Sequence, residues 1–435
     1  MPDYLIVLVA IILLVFSILL SVKRNINIGV PAIGCAFFLG VCVLRLPSND
    51  LLEYIPVNVI FVTVAGGMFF GYAIQNGAIQ NLAHHVLYRC GRHGWIIPWA
   101  IFFTAALISA TGAGPTPALV IVAPIGVAAA LEAGFSPVLT TMAIVFGAQA
   151  GSSAIWTSSS GMRAGYLLEI WSSEDVSAMM NTLMMTGPVM FVMMFLVGYI
   201  LLKGWNTSCM KFQKAEPFTV NQMKTLAVIA VGIALIVIPS VVEKVFHNPV
   251  TAFLQTRFDT YTFLSVGILV CALLRLGDER TILKNQIPWA MVFMFIGVNI
   301  LIGIATDAGI AEMLSKLLAE DVPTWMVPGV LGLIGALISL FSGFTVVYPL
   351  LLPLLPALME AGVNPVAMIT AVIFTTGVTA MSPFSMAGAL VLSNIKDDGL
   401  RNRLIPRQLS YTLVIAVIVS AYCCTPLCNL FRTSW

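Results

Sequence analysis

Hydrophobic runs of about 20 residues recur along the chain and are separated by short polar segments. A helix of roughly 20 apolar residues crosses the hydrocarbon core of a bilayer, which is about 30 Å thick. The pattern therefore predicts an all-α polytopic membrane protein. The predicted spans are 4–22, 27–46, 57–76, 137–161, 179–202, 225–243, 258–275, 288–307, 365–386 and 408–430.

Two further hydrophobic regions, 94–131 and 323–361, are long enough for two crossings each. Small and polar residues interrupt both in the middle, TGAGPTP at 111–117 and SGFT at 342–345. The second arm of each region is short for a span and carries a proline. Each region is therefore either a pair of full crossings or a re-entrant hairpin that returns to the side it entered from.

The distribution of basic residues favours hairpins, because loops inside the cell carry an excess of Lys and Arg. With both regions as hairpins and the N-terminus outside, 15 of the 21 basic residues lie in inside loops. Two double crossings place at most 12 there. The basic residues that the hairpin topology leaves outside are Arg45, Arg163, Lys244, Arg257, Lys316 and Arg432.

Two similar segments indicate an internal duplication. LEAGFSPV at 131–138 and MEAGVNPV at 359–366 share five of eight positions at an offset of 228. ALIS at 106–109 recurs at 336–339. The offset stays between 228 and 232 through the intervening loops and prolines, which chance similarity between apolar helices would not produce.

The duplication divides the chain into a first repeat at 1–205, a cytoplasmic linker at 206–223 and a second repeat at 224–435. Five spans per repeat force the second copy to lie upside down relative to the first. The predicted fold is therefore two inverted repeats of five transmembrane helices, each with a re-entrant hairpin and a broken helix. Inverted repeats with interrupted segments at matching places are typical of secondary transporters, which bind their substrate near the middle of the membrane.

Glycine, serine and threonine interrupt one span in each half, at GAQAGSS (147–153) and TTGVTAMSP (375–383). Backbone groups freed in a membrane must face protein, ligand or a wet cavity. Helix N-termini there can bind an anion, and exposed oxygen atoms suit a hard cation. The alternative interpretation is that these small residues pack helices together. Gln149 is the polar side chain that we most expect to contact a ligand.

Charged residues are absent from the hairpin tips and from both broken spans, 137–161 and 365–386. This excludes a carboxylate cage for a cationic substrate and an intramembrane acid of the proton-relay kind. A small anion, held by hydroxyls, backbone N–H groups and a bound cation, fits better. Asn299 lies inside a span, where we expect it to hydrogen-bond another helix.

Composition supports a membrane protein and offers little other chemistry. The chain is 59% hydrophobic and 9% charged, whereas soluble domains carry roughly 25% charged residues. A net charge of +2 gives no indication of nucleic acid binding. The eight cysteines lack metal-site spacing and are interpreted as small core residues. Residues 4–22 are too long for the hydrophobic region of a signal peptide.

The two paired units at about 108–161 and 338–388 resemble the ion transporter superfamily. They read TGAGPTPALVIVAPI…EAGFSP…FGAQAGSSAIWTSSSG and SGFTVVYPLLLPLLPAL…EAGVNP…FTTGVTAMSPFSMAG. The resemblance is closest to the divalent anion:sodium symporter type and to malonate/dicarboxylate carrier-like permeases. TGAGPT (111–116) and SGFT (342–345) stand where that family has a Ser-Asn-Thr signature. The resemblance implies Na⁺ as coupling ion, a homodimer and an elevator movement.

The resemblance also implies which residues contact the ligands. Together with Gln149, the implied substrate contacts are Thr111, Gly112, Thr116, Ser342, Gly343, Thr345 and Ser382. The implied sodium contacts are Gly114, Gly147, Gly151, Ser152, Thr376, Gly377 and Thr379.

The expected function is secondary active transport of a small organic anion, a di- or tricarboxylate, coupled to Na⁺ across the inner cell membrane. One alternative is the large membrane subunit of a tripartite carboxylate transporter, and another is an H⁺-coupled carboxylate permease. A polytopic membrane enzyme would need an intramembrane motif such as DDxxD or HExxH. Neither motif occurs, so we expect no enzymatic activity.

Overall fold

The computed structural model describes residues 2–24, 26–90, 94–208, 216–242, 259–310, 313, 322–342, 344–395 and 397–429, and every regular element in these ranges is a helix. The helices of the first half are α1 (Asp3–Arg24), α2 (Gly29–Phe37, continued as a π-helix over Phe38–Val43), α3 (Ser48–Glu53), α4 (Val57–Gln75), α5 (Ala78–Cys90), α6 (Ile97–Ile108, continued as a π-helix over Ser109–Ala113), α7 (Pro115–Ala133), α8 (Pro137–Ser152), α9 (Ser158–Leu168) and α10 (Ser173–Leu201).

The second half has a similar order of elements. Its helices are α11 (Val220–Val242), α12 (Thr260–Leu273), α13 (Glu279–Asn285), α14 (Trp289–Asp307), α15 (Val327–Ser342), α16 (Phe344–Leu351), α17 (Leu355–Glu360), α18 (Pro365–Thr379), α19 (Met386–Ser393) and α20 (Asp398–Cys423). Helix α11 begins before position 224, so the linker of the sequence prediction is shorter than 206–223. Part of that linker, 209–215, lies outside the described residues, as do the basic residues Lys244, Arg257, Lys316 and Arg432.

Seven helices in the described part of the chain are long and apolar enough to cross a membrane. The predicted all-helical, multi-pass architecture is therefore confirmed. Both arms of the first predicted hairpin, Gly94–Gly112 and Pro115–Ala133, are among these seven, so helix length alone does not decide between hairpin and double crossing. The seven are Asp3–Ser21, Val57–Gln75, Gly94–Gly112, Pro115–Ala133, Ser173–Leu201, Trp289–Asp307 and Gly399–Cys423.

Helices of each half pack against helices of the other half. Helices α1 and α2 of the first half pack on α14 of the second, and α12 of the second half packs on α4 of the first. Helix α8 lies at the centre of another group, in contact with α6, α7 and α10. Its counterpart α18 contacts α15 and α20, and α8 and α18 contact one another. The two interrupted helices therefore meet in the interior of the protein.

Both interrupted helices are built in the same way. The helix before each break starts on a proline, Pro137 or Pro365, and follows a glycine in the left-handed region, Gly134 (φ 77°) or Gly362 (φ 85°). A non-glycine residue is strained in that region. Both pairs keep the offset of 228 that the repeated EAG segments predicted. The orientation of the two halves across a membrane stays a prediction.

The helix after each break is longer than the predicted spans allowed. The sequence placed the broken helices at 137–161 and 365–386, but they continue to Leu168 and Ser393. The extension changes the position of Arg163. The hairpin topology counted this residue among the outside basic residues, which stays a prediction, but Arg163 is not a loop residue, because it lies inside α9 and is only 6% exposed.

Candidate functional site

The turn between α6 and α7 lies directly against the break between α8 and α9. The indole N–H of Trp156 donates to the carbonyl of Ala110 (2.7 Å), and the Ser158 hydroxyl donates to the carbonyl of Gly112 (3.3 Å). Gly112 has a φ of 109°, and a Cβ on it would lie 2.0 Å from the ring of Phe70 in α4. Only glycine fits this approach. The turn is therefore wedged between α4 and the broken helix.

A small cavity of about 20 Å³ lies where elements of both halves meet. The lining residues come from the start of α7, from both parts of the first broken helix, from α16 and from α18. They are Pro115, Gln149, Ser159, Arg163, Tyr348, Thr376 and Gly377. Transport proteins of the inverted-repeat type bind substrate at such a junction of broken elements, so this cavity is the candidate substrate site.

Arg163 is the charged group of this cavity. Its Nη1 donates to the carbonyl of Ser152 at 3.5 Å, and its Nη2 donates to the Ser152 hydroxyl at 3.4 Å. Both distances are longer than those of strong hydrogen bonds. Among the described residues Arg163 forms no ion pair with a carboxylate. A buried charge without a counter-charge is costly, so the guanidinium is available to pair with an anion.

The start of α9 adds hydrogen-bond donors beside Arg163. Thr157 caps the helix, accepting from the backbone N–H of Ser160 at 3.2 Å. The N–H groups at the start of a helix have no partner within the helix and carry partial positive charge. Ser159, in this first turn, faces the cavity. One side of the cavity thus combines a guanidinium, a hydroxyl and a helix N-terminus, a combination that suits a carboxylate.

The second half contributes neutral oxygen atoms to the opposite side. The Thr376 hydroxyl donates to the carbonyls of Val372 and Ile373, both at 2.8 Å. It also lies 3.5 Å from the hydroxyl of Tyr348. A Cβ on Gly377 would lie 2.7 Å from the ring of Phe191 and at an ordinary contact distance, 3.7 Å, from the side chain of Gln149. The cavity is therefore cationic on the side of the first half and neutral on the side of the second.

A larger cleft of about 320 Å³ lies beside the cavity. Tyr166 lines the cleft and Tyr348 lines the cavity, and the two rings stand edge to face with centroids 6.4 Å apart. Asn299 of α14 donates to the Tyr166 hydroxyl at 3.2 Å, which confirms the predicted hydrogen bond between helices. The tyrosine pair therefore separates the cavity from the cleft.

Acidic side chains line the cleft. They are Glu53, Glu169 and Asp307, and Tyr54 donates a hydrogen bond to Asp307. Glu169 lies in the segment after α9 and opens towards the cleft, yet desolvation by the surrounding protein raises its pKa to about 7. The cleft therefore carries acidic groups, in contrast with the cationic side of the cavity.

The structure brings several predicted site residues together and leaves others apart. Gln149, Thr376 and Gly377 line the cavity, and Ser152 accepts hydrogen bonds from Arg163. The remaining predicted residues in the described part of the chain stand in the turn or in helix contacts and do not line it: Thr111, Gly112, Gly114, Thr116, Gly147, Gly151, Thr379 and Ser382. Gly343 and the side chains of Ser342 and Thr345 lie outside the described residues. The ligand roles of all these residues stay predictions.

Some of these residues have visible structural contacts. The Thr111 hydroxyl donates to the carbonyl of Ile108 at 2.6 Å, within its own helix. The Ser382 hydroxyl accepts from the N–H of Phe384 at 3.2 Å and so shapes the second break. Thr116 is exposed.

Sequence reasoning missed Arg163, Ser159 and Tyr348. The signal for Arg163 was present, because Thr157 followed by three serines is an N-terminal capping pattern that starts a new helix at that point. A helix beginning there carries Arg163 in its second turn, inside the protein rather than in a loop. Tyr348 has no comparable signal, since only the packing of α16 brings it to the cavity.

Comparison with known proteins agrees with this architecture. Residues 4–152 match the family model of the dicarboxylate carrier protein MatC N-terminus, about a third of the chain. Among solved structures, the Alcanivorax borkumensis YdaH transporter, whose crystal structure is described as revealing an unusual topology, is similar with a TM-score of 0.61 and 17% sequence identity. The similarity covers 87% of this chain and 86% of that one. No curated protein matches the chain.

The apolar helices identify a multi-pass membrane protein, and the match to a dicarboxylate carrier model over the N-terminal third indicates a transport protein and not an enzyme. The match over the N-terminal third confirms, more narrowly, the resemblance to dicarboxylate carrier-like permeases. At 17% identity the likeness to the YdaH transporter shows the fold alone.

Proposed function

We propose that the protein is a secondary active transporter that binds a small organic anion at the central cavity, with Arg163 as its carboxylate partner. The observation that carries this proposal is the buried guanidinium, which has only two long hydrogen bonds to Ser152 and no ion pair among the described residues. A buried charge is retained in a membrane protein where it serves function.

The chemistry of the two sides of the cavity matches a di- or tricarboxylate, and the cavity must widen to admit one. One carboxylate pairs with Arg163 and the first turn of α9. The remaining carboxylate faces Gln149 and Thr376, where neutral donors and a bound cation would balance its charge. The matched family model, a dicarboxylate carrier, supports this substrate class.

Na⁺ is the proposed coupling ion, and the second half contains the oxygen atoms that suit it. The hydroxyls of Thr376 and Thr379 donate to carbonyls of their own helix, so the lone pairs of these hydroxyl oxygens remain available. A hard cation prefers such oxygen ligands. The closeness of Thr376 to the cavity provides a physical link between cation binding and anion binding.

The proposed cycle is an elevator movement. The turns and broken helices carry the cavity, while α4 and α14 form the scaffold on which they slide. Inverted repeats, location in the inner membrane and a homodimer belong to the same proposal. Re-entrant geometry of 94–131 is supported by the contact between its turn and the break of the α8–α9 helix, because that break lies between two segments that together cross the membrane.

Uptake by proteoliposomes that contain only the purified chain tests the function. Labelled malonate, succinate and citrate are offered with and without an inward Na⁺ gradient. Accumulation that requires the Na⁺ gradient supports the proposal, whereas accumulation that follows a pH gradient and ignores Na⁺ indicates the H⁺-coupled alternative. Uptake that appears only after a binding protein and a small membrane subunit are added indicates the tripartite alternative.

A further inference from the structure

The resemblance to sodium symporters implies sodium contacts in each half, and the first-half residues at the break between α8 and α9 do not fit one. We infer that the guanidinium of Arg163 takes the place of a sodium ion at this break. The first break then carries a fixed cation, and only the second break keeps sodium ligands. This inference rests on the proposed transport function, because a coupling ion has meaning only in a transporter.

The oxygen atoms of Ser152 are already engaged in hydrogen bonds. Its carbonyl accepts from the hydroxyl of Thr157 at 2.9 Å, from the hydroxyl of Ser160 at 3.0 Å and from Nη1 of Arg163 at 3.5 Å. A carbonyl oxygen has two lone pairs, so three donors leave none for a metal ion. The Ser152 hydroxyl donates to the carbonyl of Gln149 at 2.9 Å and accepts from Nη2 of Arg163 at 3.4 Å.

The glycines implied as sodium contacts serve close packing instead. A Cβ on Gly147 would lie 2.2 Å from the carbonyl oxygen of Phe102, and one on Gly151 would lie 2.0 Å from that of Ala106. Both glycines let the backbone of α8 rest on α6, the usual role of small residues between membrane helices. Helix packing therefore accounts for both glycines without a sodium ion.

Electrostatics gives the same answer. A sodium ion bound to Ser152 would stand within a few ångströms of the guanidinium, and two positive charges at that distance in a buried site repel strongly. The guanidinium is covalently part of the protein and cannot dissociate from the site. The positive charge of Arg163 is therefore always present at the site, whereas occupancy by a sodium ion would depend on the sodium concentration.

The second half lacks a corresponding charge. At the offset of 228, Val391 stands opposite Arg163 in the repeat. The second break is held instead by the neutral Gln408, whose Nε2 donates to the carbonyl of Met381 at 2.6 Å. The hydrogen bonds of Thr157 and Ser385 correspond between the two breaks, and valine in place of arginine is one chemical difference between them.

Sodium-specific stabilisation tests the inference without any transport. The thermal midpoint of the purified full-length protein is measured in NaCl and in choline chloride at equal ionic strength. Arg163→Val gives the first half the residue that stands at the matching position of the second half. It frees the hydroxyl of Ser152 from Nη2, while the Ser152 carbonyl keeps its donors Thr157 and Ser160. This variant should gain a sodium-specific rise of roughly 3 °C or more over the wild type. Adding Ser152→Ala should remove the gain, and Arg163→Lys, which keeps the charge, should show none.

Two results overturn the inference. One is a sodium-specific rise in the wild type that Ser152→Ala abolishes, because sodium then binds beside the arginine. The other is a lack of any gain in both Arg163→Val and Arg163→Gln, the second variant guarding against misfolding of the first. Failure of the transport function is separate: it shows as wild-type proteoliposomes that take up no anion under any gradient, whatever the sodium titration gives.

Discussion

The two breaks in the molecule share a hydrogen-bond pattern and differ in charge. The Thr157 hydroxyl donates to the carbonyls of Ser152 and Ala154, both at 2.9 Å. The Ser385 hydroxyl does the same to the carbonyls of Ala380 and Ser382, at 2.5 and 2.8 Å. Every pair in this comparison keeps the offset of 228 between the two halves.

The capping of the following helices also corresponds. Ser160 N–H donates to Thr157, and Gly388 N–H donates to Ser385, both at 3.2 Å. The shared pattern preserves the geometry of a broken helix in both halves. What diverged is the group that completes each break, Arg163 in the first and Gln408 in the second. The two halves therefore keep the same capping hydrogen bonds at their breaks, whereas the side chains next to the breaks differ in charge.

Substitution in the charged break should change transport most strongly. Arg163→Gln should raise the KM for anion uptake about 30-fold or more, because removing one partner of a buried charge pair costs roughly 2–5 kcal/mol. The measurement is the concentration dependence of uptake in proteoliposomes. Arg407→Gln, on the exposed side of α20, is the matched control and should leave KM unchanged. A KM within twofold of the wild type for Arg163→Gln would refute the carboxylate role.

Gly151, next to the first break, lets α8 pack closely on α6. Gly151→Ala should lower the free energy of unfolding by about 1–3 kcal/mol, since its Cβ would press on backbone atoms of Ala106 and Ala110. A fall in the thermal midpoint measures this loss. Gly34→Ala, where no atom lies within 4 Å of the new Cβ, serves as control and should be neutral or slightly stabilising. Equal midpoints for the two variants would contradict the close contact of α8 with α6.

Substitution of Gln408 at the uncharged second break should lower the stability of the protein and leave its affinity for the anion unchanged. Gln408→Leu removes the donor to the carbonyl of Met381, and an unsatisfied buried carbonyl costs about 1–3 kcal/mol. The thermal midpoint should fall while the KM for the anion stays within twofold. Ser410→Ala, on the exposed face of the same helix, controls for the substitution. A large change in KM for Gln408→Leu would show that the second break also holds substrate.

The acidic cleft should contribute the weakest effect. Desolvation raises the pKa of Glu169 to about 7, so its carboxylate becomes charged between about pH 6 and 8 and repels an approaching anion. KM should rise about two- to threefold over that range, and Glu169→Gln should flatten the profile. Glu174→Gln, at an exposed position of α10, should keep the wild-type profile. A pH dependence that persists unchanged in Glu169→Gln would show that the charge of Glu169 does not act on the anion.

The raised pKa of Glu169 also has a consequence for stability. The folded protein binds this proton more tightly than the unfolded chain, whose carboxyl has a pKa of 4.5. The stabilisation is therefore complete below pH 4.5 and is lost as the pH rises towards 7. Glu169→Gln should remove this part of the pH dependence of the thermal midpoint.

The amino-acid sequence was sufficient to predict the elements of this fold. Hydrophobic runs, prolines and glycines predicted the spanning helices and the breaks, because local backbone chemistry decides where a helix can form. The repeated EAG segments predicted an offset that the hydrogen bonds of Thr157 and Ser385 follow closely. Gln149 was predicted at the cavity because a polar side chain in a broken membrane helix must meet a partner.

The set of side chains that share the cavity depends instead on tertiary packing. Tyr348 and Arg163 belong to different halves of the chain and line the same space because α16 and α9 converge there. Gly147 and Gly151 look like freed backbone in the sequence, yet α6 lies directly on them. A sequence pattern reports what a segment can do locally, whereas burial of a charge and its missing partner depend on neighbours from the whole chain.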